Sequence, residues 1–195
     1  AIRACAAIIA EAENQGLPTL EVLDIGGGFP VDYLEQVQPI ETFCAPLREA
    51  LAELPAATKL IAEPGRFIAA PAMTAVSSVM GKAMREGRWW YYLDDGLYGS
   101  YSGQLFDHTR YPVDSLEFFG ERSSSVLAGP TCDSIDVIDD DIMLPALECG
   151  DLIVGRMMGA YTSATATEFN FFRKAEIVVI NDQVAEECAV VPLLA

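Results

Sequence analysis

The stretch Leu23-Asp24-Ile25-Gly26-Gly27-Gly28-Phe29-Pro30 constrains the fold more than any other part of the chain. Val22 to Ile25 is short and mostly apolar, reads as a buried strand, and runs straight into three glycines. Consecutive glycines add no side-chain packing and cost more backbone entropy than any other residue. They are kept where the chain must adopt φ > 0 or where backbone must touch another group. Two readings follow: a strand-to-loop turn, or a nest of backbone N–H groups shaped for a phosphate. The rest of the chain decides between them.

Upstream, Ile2 to Gln15 carries Ile2, Cys5, Ile9 and Ala12 on one helical face, with Gly16 and Pro18 as the stop. The strand spans Leu20 to Ile25. A second helix is expected from Pro39, with Ile40, Phe43, Leu47, Leu51 and Leu54 on one stripe and Pro55 at its end. Pro46 inside that stripe predicts a kink or a later start. Lys59-Leu60-Ile61-Ala62 reads as another buried strand and delivers Glu63-Pro64-Gly65-Arg66 at its C-terminal end. Helix, strand, helix, strand is the pattern of a parallel α/β unit. Both motifs lie just past strand C-termini, where such folds place ligands.

The character changes near Pro71. Met73 to Met80, Trp89 to Leu93, Val126 to Ala128, Asp151 to Val154 and Glu176 to Ile180 read as strands, with Asp94-Asp95-Gly96 as a strong turn. The expected organisation is an α/β part over residues 1–70 and a mostly β part over 71–195. Two β/α units cannot close a barrel, which takes eight. If the first part is a barrel, most of it lies upstream, and a start at Ala1 directly in a helical pattern points to a C-terminal piece.

At 51% hydrophobic and 21% charged, the 195 residues are ordinary globular material. A formal charge of −17 argues against a nucleic-acid partner, which needs clustered Lys and Arg. Five cysteines, odd in number and never spaced CxxC, argue against a zinc site or disulfide scaffold and for a reducing cytoplasm. No apolar run reaches membrane-spanning length, so no membrane partner is expected.

Four further motifs carry chemistry. Glu63 and Arg66 are either a local ion pair or separate groups, a carboxylate for a ring N–H and a guanidinium for a phosphate. Gly129-Pro130-Thr131-Cys132-Asp133-Ser134 sets a cysteine beside an acid in a tight turn. A lone cysteine usually packs as a small hydrophobe, but these neighbours are not core residues. Leu105-Phe106-Asp107-His108 holds the only histidine, read as structural, and Asp107 is its more informative residue. Tyr161, in Met158-Gly159-Ala160-Tyr161-Thr162, is either a packed ring or a phenol offered to a ligand.

Taken in order, LDIGGGFP, AEPGR, YYLDDGLYGSYSGQLFDH, GPTCDSID and GDLIVGRMMGAYTSATATEFN resemble the pyridoxal-phosphate-dependent decarboxylases that join a barrel to a β-domain. These act on ornithine, lysine, arginine or diaminopimelate. The resemblance runs from Leu20 to about Phe172 and looks closest to the eukaryotic-type ornithine decarboxylases. It implies the last two β/α units of a pyridoxal-phosphate-binding (β/α)8 barrel followed by a mostly β C-terminal domain. It implies that Gly26, Gly27, Gly28, Arg66 and Tyr161 hold the cofactor phosphate and that Glu63 pairs with its ring nitrogen. Cys132 would protonate the substrate carbon after carbon dioxide leaves. Asp107 and Asp133 would recognise the distal amine. A homodimer is implied, with Cys132 and Asp133 reaching the partner's cofactor.

Where the diaminopimelate enzymes typically carry glutamate, this chain has Asp133, which favours ornithine, giving putrescine in polyamine biosynthesis. Lysine is one methylene longer and stays open, since that difference is worth about 1–3 kcal/mol in a pocket. Two departures stand out. The lysine that holds the cofactor covalently in the family, and a histidine that stacks on it, belong to upstream segments, whereas Lys59, Lys82 and Lys174 sit elsewhere. The chain alone is therefore expected to be inactive. Asn170-Phe171-Phe172 stands where the family often has Asn-Gly-Phe. The competing readings are a lysine or diaminopimelate decarboxylase, a catalytically dead homologue that binds a regulatory protein, and an alanine-racemase-like enzyme.

Overall fold

A computed structural model describes residues 1–18, 20–116 and 120–180. Helix α1 (Ile2–Asn14) leads to strand β1 (Val22–Asp24), helix α2 (Ile40–Leu51) to strand β2 (Lys59–Ile61), in the order expected. The two strands pair in parallel with Leu23 opposite Leu60. Helix α2 begins at Ile40 and passes through Pro46 rather than starting after it.

The expectation that these strands are buried fails. Leu23 is buried, but Val22, Leu60 and Ile61 are 52%, 47% and 41% exposed. A parallel strand is covered only when strands flank it and helices cover the faces, and among the described residues β1 and β2 pair only with each other.

Short helix α3 (Gly65–Ala69) and a 3-10 turn (Ala70–Ala72) connect to the second part. There, strands β3 (Ala75–Arg85), β4 (Arg88–Leu93), β5 (Val113–Ser115), β6 (Ser123–Ala128), β7 (Val137–Leu144) and β8 (Leu152–Gly155) form one sheet. Their order is β5-β8-β3-β4-β6-β7 among the described residues. All neighbours are antiparallel except β4 and β6. The β3–β4 hairpin turns through Glu86 and Gly87 at φ 50° and 77°, the primed geometry that matches strand twist. Tyr91, Leu93, Tyr101, Leu127, Leu144 and Ile153 make the dry centre of the core.

Strands β5 and β7, and helices α3 and α4 (Gly103–Asp107), are elements the sequence reading did not place. Conversely, Glu176 to Ile180 is no strand: Ile177, Val178, Val179 and Ile180 are 60 to 86% exposed, with no strand alongside among the described residues. β-propensity gives no ladder without a neighbour. Among the described residues, no helix is long and apolar enough to cross a membrane, and no group of three or more His, Cys, Asp or Glu converges as for a metal.

Candidate functional site

Beyond the end of β1 the pairing with the next strand continues, which fixes the glycine loop. Ile25 N–H donates to Ile61 O at 2.9 Å, and Glu63 N–H donates to Gly26 O at 2.9 Å. Gly26 and Gly28 lie at φ 71° and 79°, the left-handed region that favours glycine. Gly27 is required differently, since a Cβ there would sit 2.9 Å from Glu63 O. Gly26 N–H is capped by Asp24 Oδ1 at 2.8 Å. The amides of Gly27 and Gly28 find no acceptor among the described residues, and both residues are exposed. Each glycine therefore has its own reason, and two donors remain for a ligand.

Helix α3 starts at Gly65 and projects Arg66. Its Nη1 donates to Tyr33 Oη at 3.2 Å and to Thr109 Oγ1 at 3.3 Å, and Nη2 pairs with Asp107 Oδ2. Burial by itself would lower the Arg66 pKa, but the bonds to Tyr33 and Asp107 outweigh it and hold the guanidinium charged. Thr109 Oγ1 also contacts Asp107 Oδ2 at 3.2 Å, so Oδ1 of Asp107 stays open among the described residues. The Arg66 guanidinium lies 4.8 Å from the centre of the Tyr161 ring. Tyr161 is itself held at φ 55° by a loop docked on the end of α3, where Gly159 N–H donates to Ala70 O at 3.0 Å.

A second group forms around Cys132. The thiol is exposed and accepts a bond from Asn170 Nδ2 at 3.4 Å. Tyr98 Oη donates to Asp133 Oδ2 at 2.6 Å, and Ile135 N–H donates to Asp133 Oδ1 at 3.2 Å. Tyr98 stacks on Phe169 with centroids 4.3 Å apart. The Tyr98 hydrogen bond, then the Ile135 amide, holds Asp133 below its ordinary carboxylate value. The same bond, with some burial, pushes the Tyr98 phenol up to about 12. Asn170 and Phe171 occupy φ 54° and 64°, so Phe171 stands in the left-handed conformation that a glycine adopts freely. The turn survives that departure, with the Phe171 side chain 98% exposed.

Asp107 and Asp133, expected to face one amine, are thus not brought together within this chain: one is bound to Arg66 and the other to Tyr98, and no hydrogen bond or ion pair links the two groups among the described residues. His108, expected to make structural hydrogen bonds, is the exposed, left-handed cap of α4, and its ring has no hydrogen-bond partner among the described residues. Tyr33, Thr109 and Tyr98 were missed by sequence reading, and Asn170 was noted for its turn but not for its contact with Cys132. Of the three, Tyr98 had a local signal, lying two residues past the Asp94-Asp95-Gly96 turn.

The Tyr98–Asp133 pair predicts a pH signature. A depressed folded pKa means the contribution of Asp133 is present above its unfolded value and lost as pH falls through the folded one. A phenol raised to about 12 contributes below its unfolded value and loses that as pH rises through about 12. Tyr98→Phe is expected to move the Asp133 titration up towards the ordinary carboxylate range, as read by carbon NMR of the labelled carboxyl. An unchanged titration would remove the phenol as the cause.

With this geometry in place, known proteins align with it. The family described as pyridoxal-dependent decarboxylase, C-terminal sheet domain, matches residues 20–159. The chain is 39% identical over 176 residues to the lysine/ornithine decarboxylase of Selenomonas ruminantium, covering 89% of this chain and 44% of that protein. It is 37% identical over 173 residues to the ornithine decarboxylase of Caenorhabditis elegans, covering 80% of this chain and 40% of that one. It superposes on the crystal structure of the lysine/ornithine decarboxylase from Vibrio vulnificus complexed with cadaverine at a TM-score of 0.90 and 58% identity, covering 92% of this chain and 50% of the other. The chain therefore spans half or less of the proteins it matches. It belongs to the pyridoxal-dependent decarboxylases.

Proposed function

We propose that the full-length protein is a pyridoxal-phosphate-dependent decarboxylase of a basic amino acid, with L-ornithine the first substrate and putrescine its product. What supports this is the Arg66 guanidinium 4.8 Å from the exposed Tyr161 ring, together with a glycine loop whose Gly27 and Gly28 amides are unclaimed among the described residues and whose Gly26 O accepts from Glu63 N–H, three residues before Arg66. A dianionic phosphate needs such donors. The amides of Gly27 and Gly28, with Arg66 and Tyr161, would hold it, Gly26 shaping the loop. Glu63, fixed through its backbone to Gly26, would keep a proton on the ring nitrogen by its opposite charge. Bound pyridoxal phosphate supplies the electron sink that loss of carbon dioxide requires.

The remaining residues of the chain divide the work. Cys132 delivers a proton to the substrate carbon, a task within reach of a thiol whose ordinary pKa is about 8.5. Asp133 and the open Oδ1 of Asp107 receive the distal ammonium. Because the Arg66 and Cys132 groups are separate here, the reading requires a homodimer in which each site combines one group from each subunit. Residues 1–70 then close the C-terminal part of a β/α barrel, 71–195 form the β-domain, and the enzyme works in the cytoplasm on small molecules. Lysine is the second substrate reading, supported by the 58% identity to a Vibrio enzyme seen with cadaverine and with putrescine.

The test is decarboxylation by the full-length protein of L-ornithine, L-lysine, L-arginine and diaminopimelate, with the amine product identified. Release of none of the corresponding amines would overturn the reading. Cys132→Ala is expected to lower kcat by about 100-fold or more. Mixing Cys132→Ala subunits with Arg66→Ala subunits should restore part of the activity, and no recovery would count against the shared site.

A further inference from the structure

Outside the groups assigned above, the least ordinary side chain is Asp136, a carboxylate only 2% exposed and with no cation beside it among the described residues. A buried carboxylate is tolerated only when hydrogen bonds replace its water. Here Oδ1 accepts from Leu97 N–H at 2.8 Å, and Oδ2 accepts from Thr131 N–H at 3.0 Å and Thr131 Oγ1 at 2.7 Å. The space for it is made by two glycines. A Cβ on Gly96 would sit 2.3 Å from Asp136 Oδ1, and one on Gly129 would meet all three carboxyl atoms at 2.1 to 2.5 Å.

These contacts close the loop that bears Cys132. Gly129 N–H donates to Asp136 O at 2.8 Å and Asp136 N–H donates to Asp133 O at 3.0 Å. Thr131 Oγ1, held by the carboxylate, accepts in turn from Asp133 N–H at 3.4 Å. The Leu97 bond ties the whole loop to the turn that carries Tyr98, the partner of Asp133. One carboxylate therefore sets the relative position of Thr131, the Cys132-Asp133 pair and the Tyr98 turn.

We propose that Asp136 is a positioning residue that fixes Cys132 and Asp133 for proton delivery and amine recognition. It acts through Thr131 and Leu97 and touches neither substrate nor cofactor. The proposal rests on the assignment of Cys132 above. It predicts a cost that appears in the chemical step and in thiol behaviour, and not at the phosphate cradle.

The experiment uses the full-length holoenzyme carrying Asp136→Asn, which keeps the volume but turns one acceptor into a donor facing a donor. Expected are a fall in kcat of about tenfold or more and an affinity for pyridoxal phosphate within about twofold of the parent. The rate of Cys132 alkylation by iodoacetamide, read on its own peptide by mass spectrometry, should rise by about threefold or more as the loop loosens. Thr131→Val removes one of the three donors and should shift the same readouts in the same direction by less. It decides the matter if Asp136→Asn does not fold. Parental kcat and alkylation rate in the folded variant would overturn the proposal, as would a fall in cofactor affinity equal to the fall in kcat, which marks general collapse. Cys132→Ala measured alongside separates the two assignments. If it keeps full kcat, the role of Cys132 fails, while alkylation of the parent and Asp136→Asn still reports whether the carboxylate holds the loop.

Discussion

Replacing Gly159 by alanine is expected to destabilise the protein by about 3 kcal/mol, the upper part of the range for overpacking a close contact. A Cβ there would lie 1.7 Å from Ala69 O and 2.7 Å from Ala69 C, inside any van der Waals limit. The obstacle is backbone, so no rotamer change relieves it. Either the loop lifts or helix α3 shifts, and both break the bonds from Gly159 N–H to Ala70 O at 3.0 Å and from Met158 N–H to Met73 O at 2.9 Å. Tyr161, two residues on, then loses its place over Arg66. Gly159→Ala should therefore lower both the melting temperature of the full-length protein and its affinity for pyridoxal phosphate. Gly65 is the control: a Cβ there meets nothing within 4 Å, so Gly65→Ala should leave the melting temperature level or raise it slightly. A Gly159→Ala protein that melts with the parent would show that the loop has slack the close approach does not suggest.

How much of this was legible in the sequence depended on whether a signal was local. The strand-glycine-strand arrangement was, because Gly26 and Gly28 need φ > 0 and Gly27 needs room beside Glu63, whatever else the chain does. Strand β7 was not. Asp139-Asp140-Asp141 carries three residues disfavoured in strands, and it sits in one with partners far away in sequence: Arg110 on Asp139, Arg88 on the Asp140 carbonyl and Ser124 on Asp141. The reverse error occurred at Ile177 to Ile180, where propensity promised a strand that has no neighbour to pair with among the described residues. For the site, the residue types were legible and their grouping was not. Nothing in the spacing of Asp107 and Asp133 says that one binds Arg66 and the other Tyr98. The role of Asp136 was only half legible: Thr131 and Gly129 are local, but Leu97 and Gly96 lie some forty residues away, on the far side of two strands.

That grouping sets up the second large effect. Arg66→Ala in the full-length protein is expected to weaken pyridoxal phosphate binding by about 100-fold or more, since each hydrogen bond to a charged group is worth about 1.5–3 kcal/mol and, on the function proposed above, the guanidinium fork would make two. The loss has a second source. In the parent, Asp107 is neutralised by Arg66, with Tyr33 and Thr109 completing the cluster. Without the arginine its carboxylate stands uncompensated where a phosphate should arrive, and like charges repel. Arg66→Lys keeps the charge but not the fork, and should fall between the two. The repulsive share can be isolated by a double-mutant cycle. Asp107→Ala alone should not weaken the cofactor, because it frees the guanidinium, and Asp107→Ala added to Arg66→Ala should recover part of the lost affinity. Equilibrium titration of the apo full-length protein by cofactor fluorescence reads all four. An Arg66→Ala protein within threefold of the parent would mean that the glycine amides and Tyr161 hold the phosphate without it. Strict additivity of the two substitutions would mean that the Asp107 pairing has no bearing on cofactor binding.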